Sequence, residues 1–347
     1  MNLIRSQKLL TLPLILIAVG VSLAVPLSKI GSQYFLTMGE RVAHANFQTS
    51  FDQQPVLIGK IQFKDKSQIP TQVIADNDNL LVTYSNSSRV DFFDEQYKLT
   101  QTLNLNSDTP HPLLIKSIAT GDNQLFIGDA FTRQIKRFDK SGNLLGAWGW
   151  YPDGTTPIAS SSLFYHNEVL YVSDGIQNKL LAVSGVEKTQ IVESGEMLFA
   201  KSLRTAPTSP GSPEDMFITP DGRLVLADSR SGKIDVYSCM GDYYYSFETG
   251  GSAKMIGPNG IAADNIPSPK LIARLDSIFD PSDVHKQGRI HITDQKTGRV
   301  KVFDNQGKYI LTYGQELGTP EDIAINRQRR IINIADSELP GIVIYKY

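Results

Sequence analysis

Residues Pro213–Tyr237 read PEDMFITPDGRLVLADSRSGKIDVY, and this stretch decides the fold. It opens with Pro, reaches an Asp-Gly turn, and continues as an apolar run that ends at Asp228. A basic residue then precedes a second apolar run that ends in Tyr. Short apolar runs separated by turn residues predict consecutive antiparallel strands.

The same pattern returns along the chain. Clear copies are Ile115–Phe138 and Pro281–Phe303, and weaker copies are Pro70–Phe93, Pro157–Val183 and Pro320–Tyr345. In each copy one residue is equivalent to Asp228 and ends the run that precedes the basic residue. These marker residues, with spacings of 45, 45, 54, 66 and 42 positions, are Tyr84, Asp129, Asp174, Asp228, Asp294 and Asp336. Periods of about 40–50 residues with several strands each are typical of propeller blades. The six copies predict an all-β fold, a six-bladed β-propeller.

The longest spacing leaves the start of the fifth blade open. A second opening, Pro258-Asn259-Gly260-Ile261, lies inside this gap. The blade begins either there, with an insertion, or at Pro281.

Ring closure follows from two incomplete ends. The last copy stops at Tyr347, directly after its third strand, whereas Val56–Phe63 (VLIGKIQF) is a strand-like run without a partner. Pairing these two removes two exposed sheet edges. We therefore expect strand 56–63 to complete the last blade, and its deletion to destabilise the ring.

The repeat resembles the NHL-repeat family of six-bladed β-propellers over roughly residues 55–347. The resemblance rests on the opening P-x-[DG]-[IVM], on Ala227-Asp228-Ser229, and on a closing apolar-x-V-[FY]-x-x-x-G pattern. It implies a propeller, while members of this family serve as ligand-binding modules, protein-interaction platforms and, in a few cases, enzymes.

The N-terminus predicts a membrane tether. Leu9–Leu27 carries no charge and is almost long enough, at about 1.5 Å per residue, to cross a hydrocarbon core. Arg5 and Lys8 precede it, so the positive-inside bias leaves the N-terminus in the cytoplasm. The predicted order is a cytoplasmic segment 1–8, a transmembrane helix or signal anchor 9–27, a stalk 28–54, and a periplasmic or extracellular propeller 55–347. The alternative is a signal peptide cleaved after Ser22-Leu23-Ala24, which would give a secreted protein.

Composition excludes some classes of function. The 34 basic and 36 acidic side chains give a net charge of −2, which argues against nucleic acid as a partner. The single cysteine, Cys239, cannot form an internal disulfide. No H-E-x-x-H or G-x-S-x-G motif occurs, so the sequence favours a binding role over catalysis.

In such a propeller, the connections between blades and the loops from second to third strand share one face, which we call the loop face. The connections on the loop face vary in length between blades, whereas the opposite face is expected to carry short turns such as Gln287-Gly288. Because long loops on a rigid scaffold are where binding usually occurs, a protein partner or small ligand is expected on the loop face. Trp148 is expected to pack between blades. The candidate binding residues are His111, Trp150, Tyr151, Arg204 and Arg274.

An acidic set at the inner strand openings suggests a second type of site. Asp215, Asp283 and Asp322 could hold Ca²⁺ near the axis, or each could accept hydrogen bonds within its own loop. No other cofactor is indicated. The resemblance implies that hydrolytic or lyase relatives bind a metal on the axis. The alternative function is therefore a metal-dependent hydrolase or lyase that uses these carboxylates and His285.

Two basic patterns are expected to be structural. Arg327-Gln328-Arg329-Arg330 is interpreted as a solvated turn on the opposite face. Recurring pairs expected to hold each blade's loop in shape are Asp129 with Arg133, Asp174 with Lys179, Asp228 with Lys233, and Asp294 with Arg299.

Overall fold

The computed structural model describes residues 53–105, 111–121, 123–185, 196–203, 213–248, 254–265 and 288–347. These residues form six four-stranded antiparallel sheets, the blades, whose inner strands contact one another in a closed ring. The predicted all-β six-bladed propeller is therefore confirmed.

In blades 1 to 5 the four strands follow one another along the chain from the innermost outward, whereas the outermost strand of blade 6 is β1. Blade 1 contains β2 (Pro70–Asp76), β3 (Asn79–Tyr84), β4 (Arg89–Phe93) and β5 (Leu99–Asn104). Blade 2 contains β6 (Ile115–Thr120), β7 (Gln124–Asp129), β8 (Gln134–Asp139) and β9 (Leu144–Trp148). Blade 3 contains β10 (Ser160–His166), β11 (Val169–Asp174), β12 (Lys179–Ser184) and β13 (Glu196–Ser202). Blade 4 contains β14 (Pro213–Ile218), β15 (Arg223–Asp228), β16 (Lys233–Ser238) and β17 (Tyr243–Phe247). Blade 5 contains β18 (Pro258–Ala263), β19 (Ile290–Asp294), β20 (Arg299–Phe303) and β21 (Tyr309–Tyr313). Blade 6 contains β22 (Pro320–Asn326), β23 (Ile331–Asp336), β24 (Gly341–Lys346) and β1 (Val56–Gln62).

The second strands are buried on both faces because each blade packs between two neighbours. In β15 and β23, buried residues follow one another without alternation. Outermost strands such as β5 are largely exposed. The described residues form six hydrophobic clusters, one between each pair of neighbouring blades, and Trp148 packs in the cluster between blades 2 and 3 as predicted.

The two chain ends of the propeller close the ring. β1 pairs with β24 in antiparallel register from Val56 opposite Lys346 to Gln62 opposite Gly341. The predicted completion of the last blade by the N-terminal strand is confirmed.

The fifth blade begins at Pro258, since β18 pairs with β19 at the inner edge of its sheet. The alternative start at Pro281 is therefore wrong. β18 ends and β19 begins at the side opposite the loop face, and 26 residues of sequence, 264–289, separate them, so the expected short turn is wrong for this blade. Asp283 and His285 fall in this connection, outside the described residues.

The N-terminal predictions concern residues before the propeller. Leu9–Leu27 and most of the predicted stalk lie outside the described residues. In the part of the chain that the structure describes, no helix is long and apolar enough to span a membrane.

Candidate functional site

Every inner strand carries an irregularity of register close to its first residue. In five blades this is a β-bulge, which leaves one residue without a cross-strand partner and re-aims its side chain. The residues at this position, which we call the bulge ring, are Thr71, Lys116, Ser161, Glu214, Asn259 and Glu321. The residues that follow them, which we call the waist ring, are Gln72, Ser117, Ser162, Asp215, Gly260 and Asp322.

The bulge ring surrounds a cavity of about 490 Å³ at the loop-face end of the axis, which we call the funnel. The loops between the second and third strands of the blades contribute Ser85, Ser229, Gln295 and Lys296 to its wall. Its wall therefore presents hydroxyl, amide, carboxylate and ammonium groups, four kinds distributed over the six blades. Such a wall can exchange hydrogen bonds with a polar segment that enters along the axis.

Glu321 organises one side of the funnel. Its carboxylate accepts hydrogen bonds from Ser337 Oγ at 2.5 Å, Gln295 Nε2 at 2.7 Å and Asn259 Nδ2 at 3.2 Å. Because both amide groups donate to Glu321, their carbonyl oxygens are oriented away from that carboxylate and can accept hydrogen bonds.

The opposite side of the funnel carries a looser charged pair. Ser229 Oγ donates to Glu214 Oε1 at 2.7 Å, and Lys116 Nζ lies 4.0 Å from Glu214 Oε2. Half of the Lys116 side chain is exposed, so its ammonium group is accessible to a partner.

The waist ring joins neighbouring blades by hydrogen bonds. The Met216 N–H donates to Ser162 Oγ at 3.2 Å, and the Ile261 N–H donates to Asp215 Oδ2 at 2.9 Å. Each of these two waist side chains thus accepts from the inner strand of the next blade, which is a structural role.

The two waist aspartates have raised pKa values. Burial, the main cause, raises the pKa of Asp215 to about 6. Burial also raises the pKa of Asp322 well above its usual range, and the charge of Asp215 raises it further. Two carboxyl groups this close cannot both ionise easily.

These carboxylates do not by themselves fit a calcium site. Asp215 accepts from Ser162 Oγ at 2.8 Å and from the Ile261 N–H, and both oxygens of Asp322 accept from backbone N–H groups of Val73 and Ile323. Carboxylates that bind Ca²⁺ do so in the ionised form through oxygens that are free to coordinate it. Asp283 lies outside the described residues, and among those described no three His, Cys, Asp or Glu side chains gather to hold a metal. The calcium site stays a prediction.

The candidate binding residues on the loop face separate into distinct environments. Trp150 is 51% exposed, whereas Tyr151 is buried between blades 2 and 3 and its hydroxyl donates to Asp174 at 3.0 Å. Tyr151 therefore belongs to the packing and not to the exposed surface. His111 is exposed and its ring lies 4.5 Å from that of Phe131. Arg204 and Arg274 lie outside the described residues.

A set of exposed apolar side chains lies on the loop face, and we call it the apolar rim; sequence reasoning found only Trp150 among them. By topology they lie in between-blade connections or second-to-third loops, as Trp150 does. The rim consists of Ile69, Phe131, Trp150, Ile176, Ile256 and Leu339. A signal was present, since Phe131, Ile176 and Leu339 follow the repeated Asp by two or three residues.

The repeated Asp holds its own loop together, as expected, but its basic partner differs from the prediction. Asp129 accepts from the Phe131 N–H and Thr132 Oγ1, and its ion pair is with buried Lys136 at 3.0 Å. Asp294 likewise pairs with Lys301 at 2.8 Å. Both lysines lie seven residues after the Asp on the neighbouring strand, so the predicted pairs with Arg133 and Arg299 are wrong.

Known proteins show the fold but no family. No family model matches the chain, and no curated protein matches it. A streptogramin B lyase structure is 10% identical with a TM-score of 0.54, covering 83% of this chain and 96% of that one. Virginiamycin B lyase from Staphylococcus aureus is 13% identical with a TM-score of 0.53 in two structures. A catalytically inactive variant with quinupristin covers 84% of this chain and 89% of that one. A selenomethionine form covers 85% of this chain and 100% of that one. At these identities the similarity shows the six-bladed propeller fold alone.

Proposed function

We propose that the protein is a binding module that captures a protein partner on its loop face. The observation that carries this proposal is the combination of a polar funnel on the axis with an apolar rim around it. A polar loop or chain end of the partner enters the funnel, and the surface beside that segment contacts the rim.

The funnel supplies the specificity in this proposal. Lys116 and Lys296 offer ammonium groups, Glu214 and Glu321 offer carboxylates, and these alternate with amides and hydroxyls. A segment that carries both charges and hydrogen-bonding groups would find complementary partners within one cavity.

The rim supplies apolar contact area. Trp150 and Phe131 are each about half exposed, and aromatic side chains contribute strongly to protein interfaces. Isolated exposed apolar residues are ordinary, but their recurrence in the connections and loops of one face favours a docking surface.

The proposal includes a membrane tether, which rests on the sequence alone. The uncharged stretch at Leu9–Leu27 would anchor the chain and leave the propeller in the periplasm or outside the cell. We also propose that the repeat from which this module is built is of the NHL type. The alternative lyase or hydrolase function gains no specific support, because the funnel wall contains no histidine among the described residues.

Site-specific photocrosslinking of the full chain in its native membrane tests the docking face. A photoreactive amino acid replaces Trp150 in one variant and Met240 in the control. Met240 is 55% exposed but lies in the turn between β16 and β17, opposite the loop face. We expect a discrete adduct from position 150 only. Equal adducts from both positions, or none from position 150, would overturn the proposal.

A second arm tests the funnel. Lys116→Glu reverses a charge at the bulge ring, and Lys98→Glu does the same at an exposed turn opposite the loop face. We expect Lys116→Glu alone to reduce the adduct formed at position 150. An adduct that is insensitive to Lys116→Glu would remove the funnel from the proposal.

A further inference from the structure

A second cavity of about 370 Å³ opens at the other end of the axis. We call it the far pocket. Its wall combines polar side chains, such as Gln72, Asn77 and Thr120, with apolar ones, which are Ile118, Leu163, Met216, Phe217, Ile261 and Ile323. Asp215 and Asp322 of the waist ring line its inner end, and the same two residues line the funnel. The far pocket is therefore separated from the funnel by the waist and is accessible from the opposite face.

Arg327 lies at the mouth of the far pocket, in the turn between β22 and β23. Its Nε donates to the Ala263 carbonyl at 2.9 Å, and its guanidinium carbon lies 5.2 Å from the centre of the Phe217 ring. The side chain thus reaches across blade 5, whose small Ala262 and Ala263 leave room for it. The sequence pattern predicted a solvated turn at Arg327, and the structure corrects this.

Among the described residues, no carboxylate forms an ion pair with the Arg327 guanidinium. Its Nη2 is buried and has no hydrogen-bond partner among the described residues. Asp264, whose charge acts on Arg327, already forms an ion pair with Arg289 at 2.7 Å and a hydrogen bond with His291 at 3.0 Å. Burial lowers the pKa of Arg327, although a guanidinium remains protonated in proteins. A buried, charged donor without an acceptor is unfavourable unless a ligand supplies the acceptor.

The surroundings of this nitrogen decide the class of anion. A phosphate would bring two charges into a cavity that offers one unpartnered cationic donor, at Arg327, and has Asp215 and Asp322 at its inner end. A monocarboxylate brings a single charge, which the Arg327 guanidinium matches, and the organic body attached to it would contact the apolar side chains of the wall. Partial burial and the charge of Arg327 both lower the pKa of His166. The His166 ring is therefore uncharged at neutral pH, whereas Arg327 carries a positive charge that can attract an anion.

We propose that the far pocket binds a small organic monocarboxylate, with the carboxylate on Arg327 and an apolar body against Phe217 and the inner strands. This site is independent of the proposed docking function, because it lies at the opposite end of the axis. Either could fail while the other stands.

Isothermal titration of the purified full chain in detergent tests the proposal with four probes. Naphthoate and octanoate represent aromatic and aliphatic carboxylates, and naphthamide and octanamide are their uncharged counterparts. We expect at least one acid to bind about tenfold or more tightly than its amide, because a charged hydrogen bond is lost in the amide. The better of the two acids identifies the body that the pocket prefers.

Variants locate the binding. Arg327→Gln removes the charge, and the control Arg329→Gln removes a charge in the same turn, where Arg329 Nη2 donates to the Glu95 carbonyl. We expect Arg327→Gln to weaken acid binding about tenfold and to abolish the preference for acid over amide, while Arg329→Gln preserves both. No binding of either acid, equal binding of acids and amides, or equal effects of the two variants would each overturn the proposal. The comparison of acid with amide uses the unaltered protein, so it remains decisive if Arg327→Gln fails to fold.

Discussion

The Asp322 carboxylate accepts a 2.8 Å hydrogen bond from the backbone N–H of Val73, which joins the sixth blade to the first beside the axis. At the outer edge, β1 joins the same sixth blade through its pairing with β24. The ring is therefore closed at two radii by residues from opposite ends of the propeller, and the two closures can be tested separately.

Phe63 is central to the outer closure. Its N–H donates to the Pro340 carbonyl, and its ring packs edge-on against Tyr84 of blade 1 at 5.4 Å. We expect Phe63→Ala to cost about 3 kcal/mol, because it leaves a cavity between blades 6 and 1. Ile58→Ala, on the exposed side of the same closing strand, should stay within about 0.5 kcal/mol. Urea unfolding followed by tryptophan fluorescence measures both, and similar costs for the two would contradict a closing role for Phe63.

Gly260 of blade 5 packs against Asp322, the residue that forms the inner closure. A Cβ at this position would lie 2.5 Å from Asp322 Cα and 2.8 Å from the Ile323 nitrogen, which are backbone atoms that cannot move aside easily. We expect Gly260→Ala to destabilise the ring by about 2 kcal/mol or more through overpacking. The matched control is Gly59→Ala, whose Cβ would meet only a side-chain methyl at 3.8 Å. A Gly260→Ala variant as stable as this control would show that the blades can separate at the waist without cost.

The repeat made most of the fold predictable. Four Pro openings coincide with the first residue of an inner strand, as at Pro213, and all six marker residues end a second strand, as at Asp228. The sequence also contains a signal for the bulge ring. In Pro213-Glu214-Asp215 two polar residues follow one another, whereas polar and apolar residues would alternate in a regular half-buried strand. Only the register of the inner strands shows that one of the two turns toward the funnel.

Contacts between blades were not predictable in this way. Arg327 packs on Phe217 from two blades away, and a single sequence contains no signal that connects them. The ion pair of Asp294 with Lys301 was missed for a different reason. The predicted partner was a residue of the loop after the Asp. The observed partner, Lys301, lies further along the chain, on the strand that pairs with the strand ending at Asp294.

Asp215 makes stability depend on pH. Its folded-state pKa of about 6 exceeds the ordinary 3.8, so the folded protein holds a proton that the unfolded chain releases between these values. Stability from this group is present below pH 3.8 and is lost as the pH rises toward 6. Asp215→Asn removes the charge and keeps groups able to pair with Ser162 and the Ile261 N–H. We expect the variant to gain on the order of 1 kcal/mol above pH 6 and little at pH 4.

Urea unfolding of the two proteins at a series of pH values measures this difference. Its control is Asp78→Asn, in the exposed turn between β2 and β3, which should show no such trend. A gain that is equal at all pH values would mean that packing, and not ionisation, separates the Asp215 variant from the natural protein.

The buried pair of Lys301 and Asp294 has the opposite dependence on pH. Lys301 Nζ lies 2.8 Å from Asp294 Oδ2, and both side chains are almost fully buried. Burial opposes ionisation of Asp294, but hydrogen bonds from Lys301 and from the Gly257 N–H outweigh it and lower the pKa of this carboxyl. Lys301→Met keeps the length of the side chain and leaves the carboxylate without its counter-ion. We expect a loss of about 3–5 kcal/mol at pH 7, since breaking a buried pair leaves an uncompensated charge.

Because the folded pKa of Asp294 lies below its unfolded value of 3.8, the stability that this group contributes is present above that pH and is lost as the pH falls through the folded value. In Lys301→Met the same carboxyl should titrate higher, so the difference between the two proteins should shrink as the pH approaches 3.8 and below. Lys308→Met removes an exposed charge from the same blade and should change stability by less than about 0.5 kcal/mol throughout. A loss in Lys301→Met that stays constant down to low pH would assign the role of Lys301 to the packing of its methylene groups and not to its charge.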